Sequence, residues 1–205
     1  GILDGVPVSV KDELDMLPFK TMIGTRFYSN QPPEQDATSV ARLRSAGALM
    51  VGKTNMHEIG LGVTGLNIHY GTTRNPHHLD HYPGGSSSGS AAAVAAGLSP
   101  IALGCDGGGS IRIPASLCGV VGLKTTWGRI STAGSAPLHW SIGSVGPITS
   151  TASDAAIAYS FLAGPDKRQS CTQEQPVVDL KNFENTNLEG IKLGVFNPWL
   201  NHASE

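Results

Sequence analysis

From Pro83 to Cys105 the chain runs without one formally charged side chain. The run opens as Pro83-Gly84-Gly85-Ser86-Ser87-Ser88-Gly89-Ser90 and passes straight into the alanine-rich stretch Ala91 to Gly97. Gly/Ser-rich chain is ordinarily flexible linker material. A linker does not run directly into an apolar segment, so these glycines and hydroxyls are expected inside the protein. The run is long enough to span a bilayer, but Gly, Ser and Ala dominate it and Pro100 interrupts it, which argues against a membrane helix. It reads instead as a loop, a buried helix from Ser88 to Ala96 closed by Gly97, and a covered strand from Pro100 to Gly104.

Around this run the elements alternate. Val6 to Val10 is a short apolar strand ending at Lys11. A helix follows Asp36, with Val40, Leu43 and Ala46 on one face and Gly47 as its cap. Ala48 to Gly52 reads as a strand covered on both faces. Asn55 is placed to cap a helix over Met56 to Leu61, Asp154 to Leu162 is helical, and Ile191 to Phe196 is a strand. The stretch from Asp166 to Glu189 is polar, without periodicity, and reads as a surface excursion. Such alternation predicts an α/β domain with a mixed or parallel sheet. The 205 residues suffice for one domain with a real core. Gly1 to Val10 lacks a methionine and already reads as a strand. The other end, from Gly190 onward, looks like the start of a further strand, so the chain reads as an internal piece of a longer protein.

A net charge of −2 with no basic run lacks the electrostatic footprint of a nucleic-acid binder. Three cysteines (Cys105, Cys118, Cys171) without CxxC spacing argue against a disulfide framework, and for a reducing intracellular compartment or buried thiols. Phosphate-binding glycine motifs are missing.

Chemistry concentrates between Gly104 and Ser116. Gly107, Gly108 and Gly109 lead into Ser110 and then a short helix. Glycines there let the backbone approach a ligand and aim several N–H groups at one point, to which a helix start adds positive charge. That is the requirement for an oxyanion hole, with Ser110 as a nucleophile inside it. Its base must come from elsewhere. The histidines of the stretch His77 to His81 resemble a solvated loop, and His57 lacks the second histidine of a zinc helix. Lys11, at the end of an apolar strand, is the other candidate, because burial disfavours its charge. Asp12 is placed to hold it. Ser87 also satisfies G-x-S-x-G, but neither a leading strand nor an HGGG-type stretch supports a nucleophile elbow. Ser88 and Ser90 read as helix caps, and Asp106 and Arg112 as groups that orient the glycine loop.

Together, Gly5 to Asp12 (GVPVSVKD), Pro83 to Gly97 (PGGSSSGSAAAVAAG) and Asp106 to Ser116 (DGGGSIRIPAS) resemble the amidase signature family. The intervals fit too: 75 residues separate Lys11 from Ser86, and 24 separate Ser86 from Ser110. The resemblance implies the amidase signature fold, a mixed central sheet covered by helices on both faces, with residues 1–205 as the N-terminal and central part of one such domain. It implies a triad of Lys11, Ser86 and Ser110, in which Ser86 follows a cis peptide bond and relays protons. Gly107, Gly108, Gly109 and Ser110 would form the oxyanion hole, with Ser87, Asp106 and Arg112 in support. The GGSSSGS and DGGGS variants, and His69 to His77 (HYGTTRNPH), are most like the plant-type fatty acid amide hydrolases. The implied function is hydrolysis of small, lipid-like amides, without metal or cofactor and without nucleic acid, in a homo-oligomer whose parent protein could associate with membranes. Two alternatives stand beside it: the glutaminase component (A) of a glutamyl-tRNA amidotransferase, and a catalytically silent scaffold of the same fold.

Overall fold

A computed structural model describes residues 1–137, 140–172, 175–185 and 187–200. Five strands form one sheet: β1 (Pro7–Lys11), β2 (Leu49–Thr54), β3 (Ile101–Asp106), β4 (Val121–Gly122) and β5 (Ser144–Thr149). Their order is β2-β1-β3-β5-β4. β1 runs parallel to both β2 and β3, whereas β5 is antiparallel to β3 and β4. The helices are α1 (Thr38–Ser45), α2 (Ser88–Ala95), α3 (Arg112–Leu117), α4 (Ala152–Leu162) and a last turn, α5 (Asn197–Leu200).

Alternation along the central strands assigns their side chains to two cores. On one face Val8, Val10, Leu103 and Val145 pack with Val40 and Leu43 of α1 and Ala158 and Leu162 of α4. On the other, Ala102 and Ile148 meet Ala91 and Val94 of α2, together with Ile111 and Ala115. The mixed sheet covered on both faces is therefore as the sequence implied. Small residues let α2 lie close to the strands: Ser90 Oγ reaches the Leu103 carbonyl at 2.9 Å and Thr54 Oγ1 at 2.7 Å. The uncharged run is no membrane span; it divides into loop, α2 and β3. Among the described residues no helix is long and apolar enough to cross a membrane.

Several expectations are corrected. β2 is an edge strand, not a covered one, and Leu49 and Val51 are exposed. Apolar composition alone does not distinguish a buried strand from an edge. The helix expected over Met56 to Leu61 is only a 3-10 turn, Glu58–Gly60, because Ile59 and Gly60 adopt positive φ and break the helical path. Ile191 to Phe196 forms no strand and lies exposed, with no ladder partner among the described residues. Residues 201–205, read as its continuation, lie outside the described residues. β5 was hidden in the sequence by Gly146-Pro147, which reads as a breaker, yet all six of its residues are buried. The polar stretch after Asp166 is not free surface throughout. Asp166 accepts from Ser131 Oγ at 2.5 Å and from Thr38, while Gln169 receives the Thr132 N–H.

Candidate active site

Because β1 and β3 are parallel neighbours, Lys11 and Asp106 end their strands at the same edge of the sheet. Ligand sites in open α/β sheets occupy that edge. A pocket of about 140 Å³ opens there, lined among others by Lys11, Glu13, Ser86, Cys105, Ser110 and the exposed Trp140.

The Lys11 side chain has no solvent exposure. Its Nζ donates to Ser86 Oγ at 2.7 Å and to the Cys105 carbonyl at 3.4 Å, and pairs with Glu13 Oε2 at 2.6 Å. The Gly85–Ser86 peptide is cis. The glycines around it are dictated by close backbone approach. A Cβ on Gly85 would stand 2.8 Å from the Gly65 nitrogen, and one on Gly89 2.6 Å from the Asn55 nitrogen. The neighbouring hydroxyls tie this loop to the strands. Ser87 is wholly buried, donates to the Cys105 carbonyl at 3.3 Å and accepts from the Cys105 N–H at 3.4 Å. That occupation removes it as the nucleophile of an elbow. Ser88 donates to the Asn55 carbonyl at 3.3 Å, so neither it nor Ser90 caps α2.

Asp106 organises the second loop. Its buried carboxylate accepts from the N–H groups of Gly109 (2.8 Å), Ile111 (3.0 Å) and Arg112 (3.3 Å). The Arg112 guanidinium adds a two-pronged contact at 3.1 and 3.0 Å. Burial alone would raise this carboxyl, but the Arg112 guanidinium and the N–H groups outweigh it and hold Asp106 below the usual carboxylate range. This corrects the donor set expected for the oxyanion hole. Gly109 spends its N–H on Asp106, whereas the N–H groups of Gly107, Gly108 and Ser110 make no hydrogen bond among the described residues. Gly109 nonetheless shapes the turn, with φ of +137°.

Ser110 is half-buried in the pocket, and its carbonyl accepts the Ser87 N–H at 3.1 Å, clamping the two loops together. Its hydroxyl makes no hydrogen bond among the described residues. Of the two hydrogen bonds the expected relay would need, Lys11–Ser86 is present at 2.7 Å, and none joins Ser86 to Ser110 among the described residues. Hydrogen bonds at catalytic groups commonly tighten only once substrate is bound.

The carboxylate that holds Lys11 is not Asp12. Asp12 pairs with Lys53 at 3.4 Å and accepts the Met22 and Gly24 N–H groups. Burial raises the Asp12 carboxyl despite the nearby Lys53. Glu13 does the holding, a residue the sequence reading passed over. No periodicity could have singled it out, because residues 12 and 13 lie in a turn beyond β1, closed by the Leu14 N–H to the Lys11 carbonyl at 3.0 Å. Near them lies Cys105, whose thiol burial pushes up strongly, with the Glu13 charge acting the same way. Cys105 and Cys118 are buried free thiols and Cys171 is a half-buried one.

Comparison with known proteins matches the Amidase family profile to residues 1–203. A fatty acid amide hydrolase of Medicago truncatula is 46% identical over 211 residues, covering all of this chain and 35% of that protein. The A component of a glutamyl-tRNA(Gln) amidotransferase from Syntrophobacter fumaroxidans is also 46% identical, over 98% of this chain and 41% of the relative. The crystal structure of a peptide amidase from Stenotrophomonas maltophilia superposes with a TM-score of 0.81 at 41% identity, covering 85% of this chain and 37% of that one. The chain spans about a third of the length of the fatty acid amide hydrolases it matches.

Proposed function

This chain belongs to the Amidase family, and from that premise we propose that the protein containing it is a serine hydrolase of carbon–nitrogen amide bonds, acting on fatty acid amides. The observation that carries the proposal is a lysine without solvent exposure, bonded to Ser86 at 2.7 Å on the wall of a pocket that also holds Ser110. In this reading Ser110 Oγ attacks the amide carbon and passes its proton through Ser86 to Lys11. The oxyanion meets the uncommitted N–H groups of Gly107, Gly108 and Ser110. The proton returns by the same route to the departing nitrogen, and water, activated likewise, releases the acyl group.

Similarity along the whole chain to plant fatty acid amide hydrolases supports the lipid amide as substrate. The equal identity to an amidotransferase component favours glutamine as the second reading. One experiment addresses both. The full-length protein, wild type and Ser110→Ala, is labelled with a fluorophosphonate and assayed on acylethanolamides, primary amides and glutamine. Labelling and acylethanolamide turnover, both lost in the variant, are expected. Labelling retained and mapped to Ser87 overturns the nucleophile, and turnover of glutamine alone, dependent on partner proteins, overturns the substrate.

A further inference from the structure

An ammonium group has three N–H donors and no lone pair. Lys11 Nζ meets three acceptors, Glu13 Oε2, Ser86 Oγ and the Cys105 carbonyl, so in this arrangement every donor is engaged. A group so occupied cannot take a proton from Ser86. Before it can act as a base, one proton must leave along one of those contacts, because the side chain has no contact with solvent. A hydroxyl and a peptide carbonyl are very weak bases, which leaves the carboxylate. Glu13 is itself almost fully buried, and it stands at 2.6 Å from the Lys11 nitrogen.

Resting on the hydrolase reading above, we propose that Glu13 is the positioning residue that takes and keeps the proton Lys11 must shed. Transfer from Lys11 Nζ to Glu13 Oε2 turns an ion pair into an amine and a carboxylic acid, with no change in net charge. In a site closed to solvent, the loss of two buried charges offsets much of the cost of moving the proton. Rotation about the Lys11 Cε–Nζ bond turns the new lone pair from Glu13 to Ser86, where it accepts the Ser86 proton while Ser86 Oγ accepts that of Ser110, whose oxygen bonds to the amide carbon. When the carbon–nitrogen bond breaks, the proton returns from Lys11 through Ser86 to the nitrogen, and Lys11 is again an amine beside a protonated Glu13, ready for the water step.

Other groups near Glu13 do not compete for this proton. The Cys105 thiol, close to Ser135 Oγ at 3.8 Å, is held in its neutral form by burial. Burial, then Asp15 and Glu13, raise the Tyr28 hydroxyl. Asp106, in the same pocket wall, is committed to Arg112.

The test is the pH profile of Glu13→Gln in the full-length protein. Glutamine keeps the size of the side chain and its acceptor oxygen but does not take the proton. In the wild type one proton is shared by the pair, so kcat/KM on the amide is flat across the neutral range. In the variant that carboxylate is gone and the proton reaches the pocket only by way of Ser86, so kcat/KM at neutral pH should fall about 100-fold and recover along a limb that rises with pH. A loss of equal size at every pH, or no loss, overturns the proposal. Difference infrared spectroscopy of the wild-type acyl-enzyme gives a second readout. A protonated carboxyl band lost in Glu13→Gln supports the proposal, and its absence from the wild type overturns it, whether or not the variant folds well. If Ser110→Ala retains turnover, the hydrolase reading has failed; if Ser110→Ala is dead and Glu13→Gln keeps a flat profile, only the role of Glu13 has.

Discussion

Two lysines and two carboxylates stand close together at one end of the sheet, and they form two unlike pairs. Lys53 on β2 is in register with Val10, so it projects to the opposite side of the sheet from Lys11, one residue further along β1. The Lys53–Asp12 pair is long, at 3.4 Å, and both side chains keep some solvent contact. Lys53 is further bound to the Leu14 carbonyl and to Thr21 Oγ1 at 3.4 Å, and Asp12 to two N–H groups. Every one of those contacts goes to the segment that follows β1, and none leads to the pocket. The Lys11–Glu13 pair is shorter and nearly dry, and its remaining contacts lead into the pocket. A lysine beside a carboxylate thus fastens the fold in one place and, in the reading proposed above, moves a proton in the other. Water and the third partner decide which.

The first way to break the comparison is to remove each lysine. Lys11→Ala should lower amide turnover on the order of 10⁴-fold, as loss of a member of a catalytic unit does, and it leaves Glu13 buried without a partner. That second effect should cost about 3–5 kcal/mol in urea unfolding. Ester turnover should suffer less than amide turnover, since an alkoxide can leave unprotonated; equal losses would show Lys11 to be structural. Lys53→Ala should keep amide turnover within about threefold and cost roughly 1–2 kcal/mol of stability, because Asp12 retains water and its N–H donors. A large loss of activity there would erase the distinction between the pairs.

Asp106 sharpens the contrast from the other loop. Its carboxyl lies below the usual range when folded, so its contribution is fully present above the unfolded-state value and disappears as pH falls through the folded one. Denaturant titrations from neutral to acid pH should show that loss. Asp106→Asn should abolish that part of the acid sensitivity, at a cost of about 3 kcal/mol at neutral pH and a fall in kcat rather than a rise in KM, because the Gly109 and Ile111 N–H groups lose their anchor. A variant as acid-sensitive as the wild type would place the effect elsewhere. The smallest change concerns β2. Val51→Thr on that exposed edge should alter stability by less than about 0.5 kcal/mol, and a larger loss would mean that the strand is covered in the full-length protein.

The legible parts of the sequence were those where chemistry restricts residue type. Glycines at 85 and 89 and serines at 86 to 88 can hardly be exchanged without steric or polar conflict; alternation gave the α/β class with a mixed or parallel sheet, and the family resemblance added helices on both faces. Contacts assembled by turns were not legible. Asp12 and Glu13 are adjacent acids after the same strand, and only the path of the chain beyond Lys11 decides which one faces the lysine. β5 escaped because a proline in its centre argues against a strand, whereas the ladder with β3 accepts Pro147 opposite Leu103. The expected strand from Ile191 had the right composition but no neighbour to pair with among the described residues.

The parallel pairing of β1 with β3 has a consequence for the order in which this protein acquires its site. Val8 pairs with Ile101, and Ser9 Oγ meets Ser99 Oγ at 2.8 Å, so this pairing joins strands about 90 residues apart in sequence. Closing so long a loop is slow compared with forming α2 or α4 locally. Of the three groups around the Lys11 nitrogen, the Cys105 carbonyl belongs to β3 and Ser86 to the loop before α2, so on the ribosome both can reach Lys11 only after those segments have emerged. In the hydrolase reading proposed above, Ser110 therefore acquires its base only once the sheet is complete, and a nascent or partly unfolded chain would carry the nucleophile without it.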